Sequence, residues 1–340
     1  MRTFGTRPFR THTFGMCRFD LGRSAIATLL TLVIAQPAWP QAYPSHPITM
    51  IVPFAAGGPA DVVARVLARY LGKQQPIVVE NVGGAGGNIG SLKAAHSAPD
   101  GYTLLFHNIS MAISPSLYAK LDYDPLNDFD DIGLVAYQPN VVLARPGMPA
   151  KTFAEFTAYL RANQSKLTFA NTGPGGASYL CAVLVMNALK VDITSVSYRS
   201  TSQALTDLLG GQVDLLCDSV ATATSYINAG TLQAFGVSSK DRFSGLPQVP
   251  SLAEQGLAGF DMVNWTALYA PKHTPAPVLA TLRGLLRDAV SNPDFKTSLE
   301  RIGSSPVTPD RATPEALASY LAAEMTRWAA VLKNVKVPAQ

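Results

Sequence analysis

Cysteine is scarce in this chain, with three residues in 340, and charged residues make up only 15% of it. Cys17 belongs to a segment that we expect to be removed, so Cys181 and Cys217 remain. Two cysteines in an oxidising compartment can form a disulfide, but the sequence does not supply the Cα separation that a disulfide requires. Two buried free thiols are therefore the favoured expectation, and a disulfide stays open as the alternative.

Motifs for catalysis and for metal binding are also lacking. The sequence contains no Walker loop, no Gly-x-Ser-x-Gly elbow and no His, Cys and carboxylate cluster with metal-ligand spacing. His107 follows a predicted strand and could face a cleft, but no partner is evident. We therefore expect no cofactor, no metal and no catalytic residue, which argues against an enzyme.

The glycine-rich run from Gly83 to Gly90 follows a predicted strand and opens a helix, so a dinucleotide-binding fingerprint must be tested. That fingerprint needs glycine at its first, third and sixth places. Counted from Gly84, the sixth place is Ile89, and counted from Gly83, the third place is Ala85. The pattern fails, and the run is better interpreted as a tight turn with close backbone packing.

The one long apolar run is near the N-terminus. Residues 1–23 carry five arginines and one acidic residue, and residues 25–35 are apolar. Small residues follow, which is the order of a secretory signal peptide, and the run is shorter than the roughly 20 residues of a spanning helix. We expect residues 1–42 to be a cleaved signal peptide, with Ala38 as an alternative cleavage site and Met16 as an alternative start. The mature protein is then periplasmic.

The basic charge of the chain belongs largely to this leader. Removing its five basic residues and one acidic residue from totals of 27 and 23 leaves 22 of each in residues 43–340. A balanced charge, without a basic run interleaved with aromatic residues, predicts no nucleic-acid partner. The remaining chain of about 298 residues is longer than one core usually serves, which predicts two domains.

Short apolar strands, glycine-rich turns and amphipathic helices alternate along the mature chain. This alternation predicts an α/β protein with mostly parallel sheets flanked by helices. The predicted strands are 48–54, 77–80, 103–106, 141–144, 167–170, 195–198, 213–217, 232–237 and 264–270. A capping box at Thr152 and Glu155 opens one helix, and Thr313 with Pro314 opens a long helix that reaches Lys333.

Several of the turns between strand and helix are rich in glycine and small residues, notably residues 55–60 and 173–178. A helix N-terminus offers unpaired N–H groups and a partial positive charge, so it binds a carboxylate without a cationic side chain. In open α/β sheets such turns line the crevice at the carboxyl ends of the strands. Two such turns from two lobes would form a clamp for an anion.

Four blocks carry a family resemblance: residues 43–61, 79–90, 99–105 and 204–214. With Asp218-Ser219, Trp265 and Arg327-Trp328, they make the chain resemble the Bug family, the TctC-like periplasmic receptors of tripartite tricarboxylate transporters. The resemblance extends over essentially the whole mature chain.

The resemblance implies a two-lobe Venus-flytrap receptor of the type II-like class of periplasmic binding proteins. Lobe 1 would comprise residues 43–143 with 265–340, and lobe 2 residues 144–264. A monomer is expected to capture a small carboxylate and to deliver it to TctA/TctB-like membrane subunits. Asp61 is expected to cap its own helix. The expected ligand-binding residues are Phe54, Ala56, Gly57, Gly58, Ala60, Asn108, Gly175, Gly176, Ala177, Ser178, Ser200 and Asp218.

The chain departs from the family pattern at the expected site. Pro59-Ala60 stand where Ser-Thr is usual, Gly176 where Ser is common, and Tyr179 where His is common. Proline has no N–H and alanine has no hydroxyl, so two donors are lost. A less polar pocket suits a carboxylate with an apolar or aromatic body better than citrate, whose oxygens would stay unpaired.

Two other functions stay open. A receptor of this kind could present its ligand to a sensor kinase, and the sequence does not separate signalling from transport. An enzyme with its active site in the cleft would need an organised nucleophile and base, and the sequence shows none.

Overall fold

The computed structural model describes residues 43–73 and 75–333. The expected signal peptide, residues 1–42, lies outside the described residues, so its cleavage stays a prediction. Among the described helices, none combines the length and the apolar character that crossing a membrane requires.

Strands and helices alternate along the chain, as the sequence predicts for the α/β class. The strands are β1 (Ile48–Val52), β2 (Ile77–Asn81), β3 (Thr103–Asn108), β4 (Phe129–Ala144), β5 (Thr168–Asn171), β6 (Thr194–Ser197), β7 (Leu215–Ser219), β8 (Gln233–Val237), β9 (Val263–Pro271) and β10 (Ser305–Pro306). The helices are α1 (Pro59–Leu71), α2 (Asn88–Ala95), α3 (Ser110–Leu117), α4 (Phe153–Asn163), α5 (Ala177–Leu189), α6 (Thr201–Leu209), α7 (Val220–Asn228), α8 (Ala276–Val290), α9 (Pro293–Arg301) and α10 (Pro314–Lys333).

The strands form two sheets that share β4. In the first sheet β1 pairs in parallel with β2 and β3, while β9 runs antiparallel to both β3 and β4. In the second sheet β5 pairs in parallel with β6 and β7, and β4 runs antiparallel to β7 and β8. The sheets are thus more mixed than the predicted pattern, because the shared strand and its partner β9 run against their neighbours.

Strand β4 is the element that connects the two sheets. Its residues 129–139 pair with β9 in the first sheet, and its residues 140–144 pair with β7 and β8 in the second. The sequence predicts only residues 141–144 as a strand. The crossing point matters for the site, because it places Asn140 opposite Ser219 and Gln138 opposite Asn264.

The C-terminal helix α10 is attached to strand β9 through a buried carboxylate. The indole N–H groups of Trp265 and Trp328 both donate to Glu324 Oε2, at 3.3 and 2.9 Å. Arg327 donates to the other oxygen of Glu324 at 3.1 Å. Because both indoles and the carboxylate are buried, this contact fixes the helix firmly behind the strand.

A disulfide joins Cys181 on α5 to Cys217 on β7, with a Cα–Cα distance of 6.0 Å. The favoured expectation of two free thiols is therefore wrong. Helix α5 packs on β7, and the two fully buried side chains face each other across that contact. Their Cα separation falls in the range that a disulfide spans, which their separation of 36 positions in sequence could not reveal.

Candidate functional site

A cavity of about 490 Å³ is lined by residues at the ends of strands from both sheets. Helix α1 begins at this cavity after a strand of the first sheet, and α5, α6 and α7 begin there after strands of the second. Because the carboxyl ends of strands and the N-termini of helices converge there, backbone N–H groups surround the enclosed space.

The helices at the cavity differ in how their N-termini are satisfied. Ser200 caps α6 by accepting from the N–H of Gln203, and Ser219 caps α7 by accepting from the N–H of Ala221. Helices α1 and α5 begin after Gly58 and Gly176, and no described side chain caps either of them. Their first-turn N–H groups therefore have no acceptor within the helix, and the helix dipole makes this end attractive to an anion.

Asp61 serves the first turn of α1 and does not line the cavity. Its carboxylate accepts from the N–H of Gly57 at 2.8 Å, from Arg65 at 2.9 Å and from Asn81 at 3.0 Å. Burial alone would raise its pKa, but these hydrogen bonds outweigh burial and lower the pKa below its ordinary value. The carboxylate thus holds the turn in place, and the N–H of Gly57 is already paired with it.

Nine of the twelve predicted ligand-binding residues line the cavity: Phe54, Gly58, Ala60, Asn108, Gly176, Ala177, Ser178, Ser200 and Asp218. Their contact with a ligand stays a prediction. Ala56 and Gly57 are exposed and do not contribute to the lining. Gly175 is buried against the backbone of Gly86 and is likewise not part of the lining.

Asp218 lies near the end of β7 and is 1% exposed, at the edge of the cavity. Its Oδ1 accepts from the N–H of Ser219 at 2.7 Å, and its Oδ2 is 2.5 Å from the hydroxyl of Thr222. Burial raises the pKa of Asp218 to about 6, although the hydrogen bonds of Thr222, Ser219 and Thr201 oppose that rise. The cavity therefore contains an acid that is partly protonated near neutral pH.

The uncapped end of α5 is fixed next to Asp218. The hydroxyl of Ser178 donates to the carbonyl oxygen of Cys217 at 2.5 Å, directly before Asp218 in the chain. The disulfide from Cys181 to Cys217 joins the same two elements one helical turn further on. The first turn of α5 and the end of β7 consequently form one rigid side of the cavity.

Two hydrogen bonds span the mouth of the cavity. The hydroxyl of Tyr118 donates to the carbonyl oxygen of Pro174 at 3.0 Å. The hydroxyl of Ser202 donates to the carbonyl oxygen of Gly57 at 2.9 Å. Each bond joins a residue near the first sheet to a residue near the second, so the two sides of the cavity are in direct contact.

Sequence reasoning missed part of the lining. The run Gly83–Gly87, which the sequence predicts to be a packing turn, lines the cavity. Asn140 and Asn264 also line it and lie in strands β4 and β9. Asn264 is an amide at the start of the predicted strand 264–270, which was a signal for that residue, whereas Asn140 lies just before the predicted strand 141–144 and had no such signal. Further lining residues outside the predicted set are Pro53, Ala55, Pro59, Thr172, Tyr198, Arg199, Thr201 and Ser219.

His107 does not face the cavity. It is fully buried behind Gly87, and a Cβ atom on that glycine would lie 3.2 Å from His107 Nε2. Burial lowers the pKa of His107 to about 4, against the opposing hydrogen bonds of Asn108. Within residues 43–73 and 75–333, no group of three or more His, Cys, Asp or Glu side chains is placed to hold a metal ion.

Two sheets joined by a shared strand, with a cavity lined by helix N-termini from both, are the architecture of the periplasmic binding protein fold. The sequence profile of the tripartite tricarboxylate transporter family receptor matches residues 60–337. This chain belongs to that family, which confirms the resemblance to the Bug and TctC-like receptors.

Solved structures of related receptors share the fold. The chain is 38% identical to the periplasmic binding protein BugD, with a TM-score of 0.85 over 88% of this chain and 100% of that one. It is 36% identical to MatC from Rhodopseudomonas palustris with bound malate, with a TM-score of 0.81 over 85% and 99%. It is 27% identical to R. palustris Rpa4515 with adipate, with a TM-score of 0.82 over 86% and 99%.

Proposed function

We infer that this chain is an extracytoplasmic solute-binding receptor that captures a small carboxylate between two lobes and delivers it to TctA/TctB-like membrane subunits. Lobe 1 comprises residues 43–143 with 265–340, and lobe 2 residues 144–264. The change of pairing partner along β4 supports a division into two lobes, with the strand leaving the first sheet at Pro139 and entering the second at Asn140, a few residues before the proposed bound.

The observation that carries the proposal is the pair of uncapped helix N-termini on one cavity. Helix α1 presents the N–H groups of Ala60 and Asp61 from one lobe, and helix α5 presents those of Ala177 and Ser178 from the other. Neither set is satisfied by a capping side chain from the described residues. An anion between the lobes would satisfy both sets and would hold the lobes together.

The remaining walls favour a ligand with an apolar body. Pro53, Phe54, Ala55 and Pro59 contribute apolar surface to the cavity, and Pro59 also lacks an N–H. A ligand with many hydroxyl groups would leave oxygens unpaired against these walls. The related receptors with malate and adipate support a dicarboxylate, and adipate has an apolar chain between its acid groups.

The receptor works as a periplasmic monomer after cleavage of residues 1–42, and it binds its ligand without catalysis. The periplasmic relatives support the location. N-terminal sequencing of the exported protein tests it: a start within a few residues of Tyr43 is expected, and an intact Met1 or Met16 on a periplasmic product contradicts it.

A thermal-shift screen of residues 43–340 tests the carboxylate proposal. Malate, citrate, adipate and benzoate form the panel, and the diamine putrescine is the control of opposite charge. A ligand at 100 times its Kd stabilises the folded state by about 2.7 kcal/mol. We expect at least one acid with an apolar body to raise the melting temperature and putrescine to leave it unchanged. A shift with putrescine alone contradicts the proposal.

A further inference from the structure

Asp218 lies beside the end of α5 that the proposed function assigns to the ligand carboxylate, and its part in binding rests on that proposed function. Ser178 belongs to the first turn of α5 and is hydrogen-bonded to the carbonyl of Cys217, the residue before Asp218. A carboxylate held by the first-turn N–H groups of α5 would therefore come close to the Asp218 side chain. Two ionised carboxylates at that separation in a buried site repel each other strongly.

The described elements around Asp218 supply no paired cation that could relieve this repulsion. Helices α5, α6 and α7 carry one charged residue between them, Asp207, and its carboxylate accepts from the hydroxyl of Tyr198 at 2.7 Å. Strands β5 and β8 and the segment of β4 beside β7 are uncharged. Arg199 lines the cavity, but no ion pair joins it to Asp218 among the described residues. His107 is buried on the first sheet with its pKa lowered to about 4, so it stays neutral.

The hydrogen bonds around Asp218 leave a place for one more proton. The hydroxyl of Thr222 lies 2.5 Å from Asp218 Oδ2 and 3.0 Å from the carbonyl oxygen of Ser219. A hydroxyl has one hydrogen, so it cannot donate to both acceptors at once. With a proton on Oδ2, Asp218 donates to Thr222, and Thr222 donates to Ser219. Each of these groups then has a partner.

We propose that Asp218 holds a proton while the ligand carboxylate is bound, so that the receptor binds its anion together with one proton from solvent. Asp218 then forms a neutral wall of the cavity. The proposal limits the ligands to acids that carry no ammonium group next to Asp218. An ammonium group there would favour the ionised form of the Asp218 carboxyl.

The pH dependence of binding is a consequence of this coupling. Burial raises the pKa of Asp218 to about 6 in the cavity without ligand, and a neighbouring ligand carboxylate raises it further. Below pH 6 the proton is present before and after binding, so affinity does not change. Above pH 6 the free receptor has lost the proton and must regain it, and affinity falls by up to tenfold per pH unit until the pKa of the bound form is reached.

Calorimetry at pH 6.5 and pH 8.0 tests the proposal with the tightest-binding acid among malate, citrate, adipate and benzoate. We expect wild-type affinity to fall at least tenfold between these values. Asp218→Asn keeps the shape and removes the ionisation, so its affinity should vary less than twofold and exceed that of wild type at pH 8.0. Asp131→Asn is the matched control, because Asp131 also has a pKa raised to about 6 but does not line the cavity.

Proton uptake by the wild-type protein tests the proposal without any substitution that could alter folding. The binding enthalpy at pH 7.5 is measured in buffers of different ionisation enthalpy. Uptake approaching one proton per bound acid supports the proposal, and no uptake or net release overturns it. Affinity that rises with pH and is lost in Asp218→Asn also overturns it, because that result means that the ionised carboxylate of Asp218 favours binding. Absence of binding by every acid at both pH values contradicts the proposed function itself.

Discussion

Gly86 and Gly175 lie so close together that a Cβ atom on Gly86 would be 2.7 Å from the Cα of Gly175. The same atom would be 2.9 Å from the hydroxyl of Tyr118 and 3.0 Å from the carbonyl oxygen of Pro174. These contacts join the glycine-rich loop after β2 to the turn before α5. Only glycine lets the two backbones approach this closely, so the contact depends on glycine at both positions.

Gly86→Ala should therefore weaken ligand binding at least tenfold, because the added methyl group meets backbone atoms of the opposite lobe and holds the cavity open. Gly211→Ala is the control. Gly211 has a φ of +70°, close to the +66° of Gly86, but no described atom lies within 4 Å of its Cβ position. Both variants carry the same backbone strain, of order 1 kcal/mol. Calorimetry on the pair checks the prediction, and equal affinities would mean that the contact does not govern binding.

Ala177→Pro should weaken carboxylate binding by about tenfold or more. Ala177 is the first residue of α5, where proline is well accepted, and the extended backbone of Gly176 suits a residue before proline. The change removes one N–H, and a hydrogen bond to a charged group contributes about 1.5–3 kcal/mol. Ala177→Gly keeps the N–H and is the matched control. If Ala177→Gly lost as much affinity as Ala177→Pro, the N–H would not be a ligand contact.

The double change Pro59→Ser with Ala60→Thr should shift preference toward polar polycarboxylates. It restores an N–H and two hydroxyl groups to the first turn of α1, where both residues line the cavity. Each polar ligand atom left unpaired costs about 1–3 kcal/mol, so citrate should gain most. Competition binding between citrate and an aromatic carboxylate gives the ratio of the two affinities for the wild type and for the double variant. A native preference for citrate would refute the polarity argument.

Replacing both Cys181 and Cys217 by alanine should lower the free energy of unfolding by about 3–4 kcal/mol. The disulfide closes a loop between residues 36 apart in sequence, and its loss increases the entropy of the unfolded chain. Urea unfolding of the variant and of the wild type measures the difference. Wild type in reductant should approach the variant, and an unchanged midpoint in both samples would show that the disulfide does not stabilise the fold.

Asp131→Asn should raise the free energy of unfolding at pH 7 by about 1 kcal/mol, and by much less at pH 4. Burial raises the pKa of Asp131 to about 6, against the opposing charges of Lys272 and Arg283. Between pH 4 and 6 the unfolded chain releases this proton while the folded protein retains it, so stability falls as pH rises. Urea unfolding at the two pH values checks the sign. An equal gain at both would point to a cause other than ionisation.

Helices and strands with an uninterrupted apolar pattern or a clear capping signal could be predicted closely from the sequence. Helix α10 has the predicted bounds, and the capping box of Thr152 and Glu155 opens α4 as expected. The first part of β4 was missed because Asp130, Asp131 and Pro139 interrupt its apolar pattern. These residues fit a strand only because β9 pairs with it from a distant part of the chain.

The candidate site could be predicted only in part, because some of its residues also depend on contacts between distant segments of the chain. The turns at Gly58 and Gly176 are local features, and both were found from glycine before a helix. Asn140 and Asn264 meet at the cavity only because β4 pairs with β9 from a distant part of the chain. The Cys181–Cys217 pair likewise depends on the packing of α5 against β7. Such contacts between distant segments leave no periodic signal in one sequence.

A crystal structure of residues 43–340 with the tightest-binding acid of the panel tests the central claim most directly. We expect one carboxylate between the N-termini of α1 and α5, with oxygens about 2.7–3.2 Å from the N–H groups of Ala60 or Asp61 on one side and of Ala177 or Ser178 on the other. A carboxylate bound elsewhere in the cavity, with both helix ends left to water, would contradict it.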